Sequence, residues 1–387
     1  MNTRLKKLLP LAGVACCFST SLLLAAPQYG GNDSGNCCPP KRPEPVCEPP
    51  CDEVTDRTLV FDECTNNFRK GFTPDAGPRV ACGADFFVTA DFIYWTSRMD
   101  GLAYAASNVF TGGITALPRG SVQHPDFGWD PGFKVGLGYN LDHDGWDVFA
   151  EYTWLRPDAS DSTSSADIPS RLAATWVVDD SLLTDLRSAR ASWDFDLNVV
   201  DLELGRNYFV SRYLTLRPHV GLKGAWHDHE YRARYTDRTP ADPDATVNRV
   251  SIDQDYWGVG LRTGLDTVWY FNQYFGIYGD FALSALWGEF DVDRTDSTET
   301  VVGGVVTATT RSLNTNNDFH SLKYVSELVL GLKADIWFSD DAFHVGFHAG
   351  WEMQYWPSQN QFFKLREESA HGDLYFMGLT TGVRFDF

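Results

Sequence analysis

Cysteine is missing from most of this chain. The sequence has 387 residues and eight cysteines, and none of them lies beyond Cys82. Positive charge is also scarce, because 32 lysines and arginines stand against 52 acidic residues and the net charge is −20. This balance argues against a general nucleic-acid binder, which needs basic surface to displace the counterions of phosphate. We also find no glycine motif that would cradle phosphate and no internal repeat of about 20 to 50 residues.

Aromatic residues, in contrast, are abundant. They make up 14% of the sequence, with 13 tryptophans, 16 tyrosines and 26 phenylalanines. Such a density suits a protein with much half-buried surface, above all at a membrane interface, where amphipathic rings settle.

The N-terminus has the order of an export signal. Three basic residues precede an apolar stretch from Leu8 to Leu24, and two alanines after it are suited to cleavage. A retained anchor is the alternative, but the stretch is barely long enough to span a membrane and Pro10 interrupts it. A lipoprotein start at Cys16 is disfavoured because apolar sequence continues past it. We predict a cleaved signal peptide over 1–26.

Residues 27–83 form an arm rich in cysteine and proline, which we predict to be disordered. Its stretch "CCPPKRPEPVCEPPC" has six prolines and is typical of an extended tether. In an oxidising periplasm the thiols favour disulfides, within the arm or between neighbouring chains. Zinc is the rival interpretation, since two pairs of cysteines are close together. The disulfide candidates are Cys37, Cys38, Cys47, Cys51, Cys64 and Cys82.

From about residue 84 the sequence alternates. In "FKVGLGYNL", Phe133, Val135 and Leu137 share one face of a strand, and Lys134 and Gly136 share the other. Several such stretches exceed the roughly five or six residues of an ordinary strand and reach the about 9–11 residues of a tilted membrane-spanning strand. A face of glycine with scattered charges suits the inside of a narrow closed barrel.

Strand segments alternate between short and long connections. Short turns such as "DHDG", "SR", "NQ" and "SDD" alternate with long polar loops. This connectivity is typical of an outer-membrane barrel. Aromatic residues at the short turns, for example Trp269 and Phe271, predict a girdle at the periplasmic interface. The ten segments lie near 85–97, 131–141, 146–155, 193–210, 213–226, 252–271, 275–290, 322–338, 342–356 and 373–387, and the long loops at about 98–130, 156–192, 227–251, 291–321 and 357–372.

We therefore predict an all-β fold, a transmembrane, antiparallel up-and-down β-barrel of about 10–12 strands over residues 84–387. The last strand is expected to close against the first, near "DFFVTADFIYW". A closed barrel has no free edge, which would allow the chain to end inside the wall.

Charged residues on these strands should face the lumen, because a charge on the lipid face costs about 2–4 kcal/mol at mid-membrane. Inward rings of charge set ion selectivity, and the acidic excess predicts a mild preference for cations. The pore-lining candidates are Lys134, Glu151, Arg217, Lys223, Arg262, Asp266, Asp280, Glu327, Lys333, Asp335, His344, His348, Glu352 and Arg384.

Two motifs allow more than one interpretation. In a strand, His227 and His229 of "HDHEY" would project to one side. They could hold a metal with Glu230 or a distant acid, or serve a rim enzyme, although polar residues at a loop base are commonly neither. In "SRLAATWVVDDSLLTDLRSA", the apolar spacing from Leu172 to Leu186 predicts a short helix, folded over or into the barrel or capping its outside rim. We expect no catalytic residue, no metal and no cofactor.

Short aromatic and glycine motifs carry a family resemblance. The signal peptide, "FFVTADFIYW", "LGYNLDHDGWDVFAEYTWL", "LRPHVGLKGAW" and "HVGFHAGWEMQYW…GDLYFMGLTTGVRFDF" together resemble the pore-forming outer-membrane proteins of the Legionella major-outer-membrane-protein type, which also occur in chlamydia-like bacteria. The likeness over residues 84–387 implies a porin-like barrel, and the family offers no established catalytic residue to transfer to this chain. It also implies that the arm joins a disulfide-crosslinked envelope, and that Val383, Phe385 and Phe387 form the C-terminal signal read by the barrel-assembly machinery.

The predicted function is an outer-membrane, porin-like channel for passive diffusion of ions and small hydrophilic solutes. The alternatives are a structural or adhesive surface barrel crosslinked through its arm, and a barrel enzyme with a rim site at His227–Glu230. The expected partners are outer-membrane lipids, the barrel-assembly machinery, and disulfide-linked envelope proteins or further copies of this chain, with no nucleic acid.

Overall fold

Nine segments of the chain are described by the computed structural model: 76–80, 84–107, 120–141, 144–164, 172–176, 186–237, 244–339, 341–363 and 371–387. The predicted signal peptide and all six cysteines of the arm lie outside these segments. No helix in the described part of the chain is both long enough and apolar enough to cross a membrane.

The fold is built from strands, numbered β1 to β16 in chain order. Successive long strands pair as antiparallel hairpins because their period-two patterns offer one apolar and one polar face. Their bounds are β1 Phe86–Met99, β2 Ala105–Ser107, β3 Val122–Gln123, β4 Asp126–Phe127, β5 Trp129–Asn140, β6 Trp146–Leu155, β7 Asp158–Ser164, β8 Leu172–Ala174, β9 Leu186–Arg206, β10 Tyr208–Ser211, β11 Leu214–Asp237, β12 Ala245–Tyr270, β13 Phe275–Val302, β14 Val305–Phe338, β15 Phe343–Asn360 and β16 Gly372–Asp386.

Ten of these strands close into a barrel. β1 pairs with β5, the antiparallel order continues through β6, β9, β11, β12, β13, β14 and β15 to β16, and β16 pairs back with β1. The short strands β2, β3, β4, β7, β8 and β10 lie in the connections. The predicted antiparallel up-and-down barrel is confirmed, with ten strands in its wall.

The C-terminal end of the chain is part of this wall. β16 pairs on one side with β15 and on the other with β1, and the amide of Phe387 donates to the carbonyl of Phe86 at 3.0 Å. Val383 is on the outer face, as is Phe385, whose ring stacks on that of Phe343 at 5.9 Å. The chain can end mid-strand because both edges of the strand are paired. The role of these residues as an assembly signal stays a prediction.

The outer face carries an apolar band between two aromatic girdles. Band residues are strongly exposed, for example Leu261 at 71%. The predicted girdle at the short turns includes Trp269, which is twelve residues from Trp257 on β12. That distance is roughly 30 Å in height for a tilted strand, enough for the apolar band of a membrane barrel. A second girdle, the external girdle, lies toward the long connections and was not predicted. It includes Trp226, Trp257, Trp287 and Tyr324.

Two predicted polar loops are strands instead. β11 and β12 continue through most of 227–251, and β13 and β14 form one long hairpin through 291–321. Its turn is Gly303 and Gly304, with φ of +59° and +80°, and positive φ at both central residues suits a two-residue hairpin turn. The loop prediction was wrong because polar threonine, serine and asparagine also pair well across an antiparallel ladder. The wall therefore extends beyond the external girdle.

The helix predicted within residues 170–189 is absent from the described residues of that segment. Leu172–Ala174 form β8, and Leu186 begins β9, whereas 177–185 lie outside the described residues. β8 pairs with β2 at the external opening. Its apolar residues are therefore part of a strand, although their spacing in the sequence resembles that of a helix. Tertiary pairing overrode the local pattern here.

Candidate functional site

The lumen inside the membrane-spanning wall is polar. Because side chains alternate along a strand, Arg217, His219 and Lys223 of β11 face inward, while Val220 and Leu222 face the lipid. The same alternation on the other wall strands gathers charged side chains of both signs inside the ring. Such groups need partners, since an unpaired buried charge is costly.

Arg217 organises a layer near the short turns. Its guanidinium contacts Asp147 at 2.6 Å, Glu203 at 2.9 Å and Asp266 at 2.6 Å, so β11 is tied to β6, β9 and β12. His219 lies 3.4 Å from Glu203 and 3.5 Å from Asp266, and these three residues are close enough to share a metal ion. Arg217 already pairs with both carboxylates, however, so the cluster is explained as an ion-pair network.

Lys223 and Arg262 form the next layer. Lys223 Nζ lies 2.8 Å from Asp201 and 2.7 Å from Glu327. Arg262 contacts Glu327 at 2.7 Å and Glu203 at 3.0 Å. Because β11 and β14 are not neighbours in the ring, the pair between Lys223 and Glu327 crosses the lumen and narrows it.

A third set of ion pairs joins the strands on the other side. Lys134 of β5 contacts Glu352 of β15 at 2.7 Å. Closer to the short turns, His344 lies 2.6 Å from Asp386 and 2.9 Å from Asp335. The inner face of the barrel is thus crosslinked by ion pairs around much of its circumference.

These layers surround a cavity of about 290 Å³. All fourteen predicted pore-lining residues lie on the inner side of the wall, and all but Lys223, Asp335 and His344 line the cavity itself. Their role in permeation stays a prediction. Sequence reasoning missed Asp91 and His219, which also line the cavity; following the alternation of β1 and β11 residue by residue would have found both.

Acidic side chains outnumber basic ones on this inner surface, which favours cations over anions electrostatically. The inner carboxylates are Asp91, Asp147, Glu151, Asp201, Glu203, Asp266, Asp280, Glu327, Asp335, Glu352 and Asp386, and the inner lysines and arginines are Lys134, Arg217, Lys223, Arg262, Lys333 and Arg384.

Replacing Lys223 with methionine is expected to lower the free energy of unfolding by about 3–5 kcal/mol, because two buried carboxylates lose their shared cation. Lys223 is only 1% exposed. Urea denaturation of the refolded barrel, followed by tryptophan fluorescence, measures the change. The control is Lys323→Met, which removes a buried amine that lies over the Phe290 ring at 5.1 Å. Equal denaturation midpoints for the two variants would contradict the assignment.

The lumen beyond the external girdle is filled by an aromatic plug. Trp176 is 1% exposed, and its ring packs against those of Tyr231 at 5.5 Å and Phe362 at 6.1 Å. Arg294 of β13 donates to the carbonyl of Trp176 at 2.7 Å. The sequence left two locations open for the segment that contains Trp176, inside the barrel or on its outside rim. Its described residues lie inside the wall. The plug consists of segments 102–105, 172–176 and 359–363.

His227 and His229 of β11 are buried against the plug. Nε2 of His227 lies 3.1 Å from Oε1 of Gln359, and the indole of Trp193 donates to Nδ1 of His229 at 3.3 Å. The two histidines project to the same side, as predicted. Glu230 points to the outer face and pairs with an arginine there, so the structure does not bring together the predicted metal or rim-enzyme set.

Three solved structures are similar to this chain over most of its length. The monoaromatic hydrocarbon channel CymD matches at 10% identity and a TM-score of 0.30, over 79% of this chain and 88% of that chain. A FadL homologue of Pseudomonas aeruginosa matches at 9% identity and a TM-score of 0.23, over 78% of this chain and 90% of that chain. Ail, the attachment invasion locus protein of Yersinia pestis, matches at 9% identity and a TM-score of 0.21, over 78% of this chain and 99% of that chain.

A family match covers most of the chain. No curated protein sequence matches it, but the profile of the family described as Legionella pneumophila major outer membrane protein precursor matches residues 80–387. This range includes all ten wall strands, and the apolar outer band agrees with a location in the outer membrane. The chain belongs to the Legionella major outer membrane protein family.

Proposed function

We propose that this protein is a narrow outer-membrane channel for ions and small hydrophilic solutes, closed toward the outside by its aromatic plug. The observation that carries the proposal is the charged cavity of about 290 Å³ inside the membrane-spanning wall. A barrel that served only as an anchor could fill this space with apolar side chains, without the desolvation cost of buried ion pairs. Passive diffusion requires no catalytic group, and we propose no enzymatic activity.

The strand number sets the scale of the channel. Ten strands enclose a narrow interior, whereas open aqueous channels are better attested at about 16–18 strands. The pair between Lys223 and Glu327 occupies part of this interior. We therefore expect a small conductance and exclusion of oligosaccharides. Single-channel recording of the refolded protein in planar bilayers tests the proposal, and barrels that insert but stay silent even without the plug would contradict it.

The channel is expected to prefer cations because of its acidic inner surface. Under a KCl gradient, the reversal potential should have the sign of potassium selectivity. Asp266→Asn, which neutralises a cavity-lining carboxylate, should reduce this potential. Asp253→Asn makes the same charge change on the outer face and should leave the potential unchanged. A clear anion preference of the unmodified protein would reject the expectation.

A structural or adhesive surface protein is the second candidate. The observation in its favour is the long hairpin of β13 and β14, which presents exposed polar side chains well beyond the external girdle. Liposome swelling with small sugars separates the two candidates, since only a channel admits them. Shortening the hairpin should abolish adhesion but leave any swelling intact.

A further inference from the structure

The outer face of β9, β11 and β12 changes character beyond the external girdle. After Trp226, the outward residues of β11 are the acidic Asp228 and Glu230 and then the basic Arg232 and Arg234. Neighbouring strands repeat this order in register, so the charges form rows around part of the wall. The two acidic rows are Asp196, Asp228, Asp255, Asp291 and Asp318, and Asp194, Glu230, Asp253 and Asp293.

The basic row places three arginines directly opposite one another. Arg234 is in register with Arg190 of β9 and with Arg249 of β12. All three are exposed, and together with Arg232 they line a groove of about 180 Å³. Like charges directly opposite on a sheet are destabilising. A row of this kind in a chain of net charge −20 therefore indicates a role in binding.

Carboxylates of the chain neutralise only part of this row. Arg249 contacts Glu299 at 2.9 Å, and Arg232 pairs with Glu230. Among the described residues, Arg190 and Arg234 have no carboxylate oxygen within 4.0 Å. An external anion in the groove would supply the missing partner, because guanidinium groups form bidentate, charge-assisted hydrogen bonds with phosphate and carboxylate.

The height of the arginine row above the membrane indicates which kind of anion can reach it. Arg234 is eight residues beyond Trp226, which is roughly 20 Å above the external girdle for a tilted strand. Phospholipid headgroups occupy only about 5–8 Å of an interface and do not reach it. The glycolipid of the outer leaflet has a phosphorylated saccharide that projects further from the hydrocarbon than a phospholipid headgroup. The acidic rows lie between the girdle and the arginines, so the arginines are the first cationic row that the saccharide meets.

We propose that the groove between β9, β11 and β12 binds the phosphorylated saccharide of the lipopolysaccharide around the barrel. Arg190 and Arg234 hold the anionic group, and Ser192 and Ser251, which also line the groove, donate hydroxyl hydrogen bonds to the sugar. This site lies on the outside of the wall, and it does not depend on conduction through the lumen.

Binding of rough lipopolysaccharide with a phosphorylated core to the refolded full chain in detergent tests the proposal. The variant Arg190→Gln/Arg234→Gln should raise the Kd about tenfold or more, as expected for the loss of two charge-assisted contacts. The control Arg98→Gln/Arg156→Gln removes two other exposed arginines with the same change in net charge, and its Kd should match that of the unmodified protein. Heat-dependent electrophoretic mobility verifies the fold of each variant.

Further binding measurements identify which part of the lipopolysaccharide the groove recognises. Lipid A without the core should bind both proteins equally, and inorganic phosphate should compete only at far higher concentration. Arg190→Lys/Arg234→Lys should recover part of the affinity, since the charges remain and the bidentate geometry is lost. The proposal is overturned by an unchanged Kd in the glutamine variant, by an equal loss in the control, or by competition from phosphate alone at matching concentration.

Discussion

Opening the plug is expected to raise the single-channel conductance several-fold. The variant Trp176→Ala/Phe362→Ala removes two rings that are 1% and 0% exposed and that contact each other inside the external half of the lumen. An apolar constriction excludes water and ions, so removing its rings should admit both. The charged cavity below the plug would then connect with the outside. Planar-bilayer recordings of single refolded barrels measure the change directly.

The matched control for this experiment is Trp287→Ala/Phe343→Ala. It removes the same two residue types from the outer face, where they are 55% and 37% exposed, and its conductance should equal that of the unmodified protein. If the plug variant also conducts like the unmodified protein, the ion-pair layers control conductance instead. If none of the three conducts after verified insertion, the structural candidate replaces the channel.

Acidification is expected to open the plug through His227 and His229. Both residues lie beyond the external girdle. Burial lowers the pKa of His227 to about 4 and holds the pKa of His229 well below the ordinary value of 6.5. Among the described residues, none of the side chains that face the two rings is a carboxylate that would stabilise an imidazolium ion. These side chains are Trp193, Phe195, Gln254, Tyr256, Gln359 and Phe362.

The direction of this pH effect follows from proton linkage. Imidazoles exposed in an open plug titrate near 6.5, whereas His227 in the closed plug stays neutral down to about pH 4. The closed form therefore has its full stability above pH 6.5 and loses it as the pH falls from about 6.5 toward 4, because the open form binds more protons. Conductance should rise over this range.

Substitution of both histidines tests the assignment. His227→Phe/His229→Phe keeps two rings in place without a titratable group, and its conductance should be flat between pH 6.5 and 4, as long as the barrel inserts normally. His320→Phe changes an exposed histidine of the outer face and should retain the rise. A rise that survives in the double variant would assign the acid response to other groups, and the lumen carboxylates would be the next candidates.

Parts of the fold that depend on local alternation were predictable. Strands such as β5 and β16 have one apolar and one polar face, and hydrocarbon around the barrel forces the apolar face outward along the whole strand. That single constraint determines the direction of every side chain, including Lys134 and Arg384. It also accounts for the closing of β16 on β1, since an unpaired edge is not tolerated in lipid.

The external half of the barrel was not predicted because no hydrocarbon surrounds it. Without hydrocarbon, the polar strands of the long hairpin lack a strict apolar face and resemble loops, even though "VVGGVV" at Val301–Val306 is a hairpin signal. The plug was missed for a different reason. Trp176 and Phe362 are far apart in sequence, and no local pattern predicts their contact.

The sequence by itself determined the barrel, a wall of about 10–12 strands and the polarity of its two faces, because alternation along a strand is a local property. Only the tertiary structure decided which charges pair across the lumen, what closes the external end, and that Arg190, Arg234 and Arg249 meet in one row. These features depend on strand register and on packing between distant segments. Register is a relation between strands, and a shift of one residue would move every side chain to the opposite face.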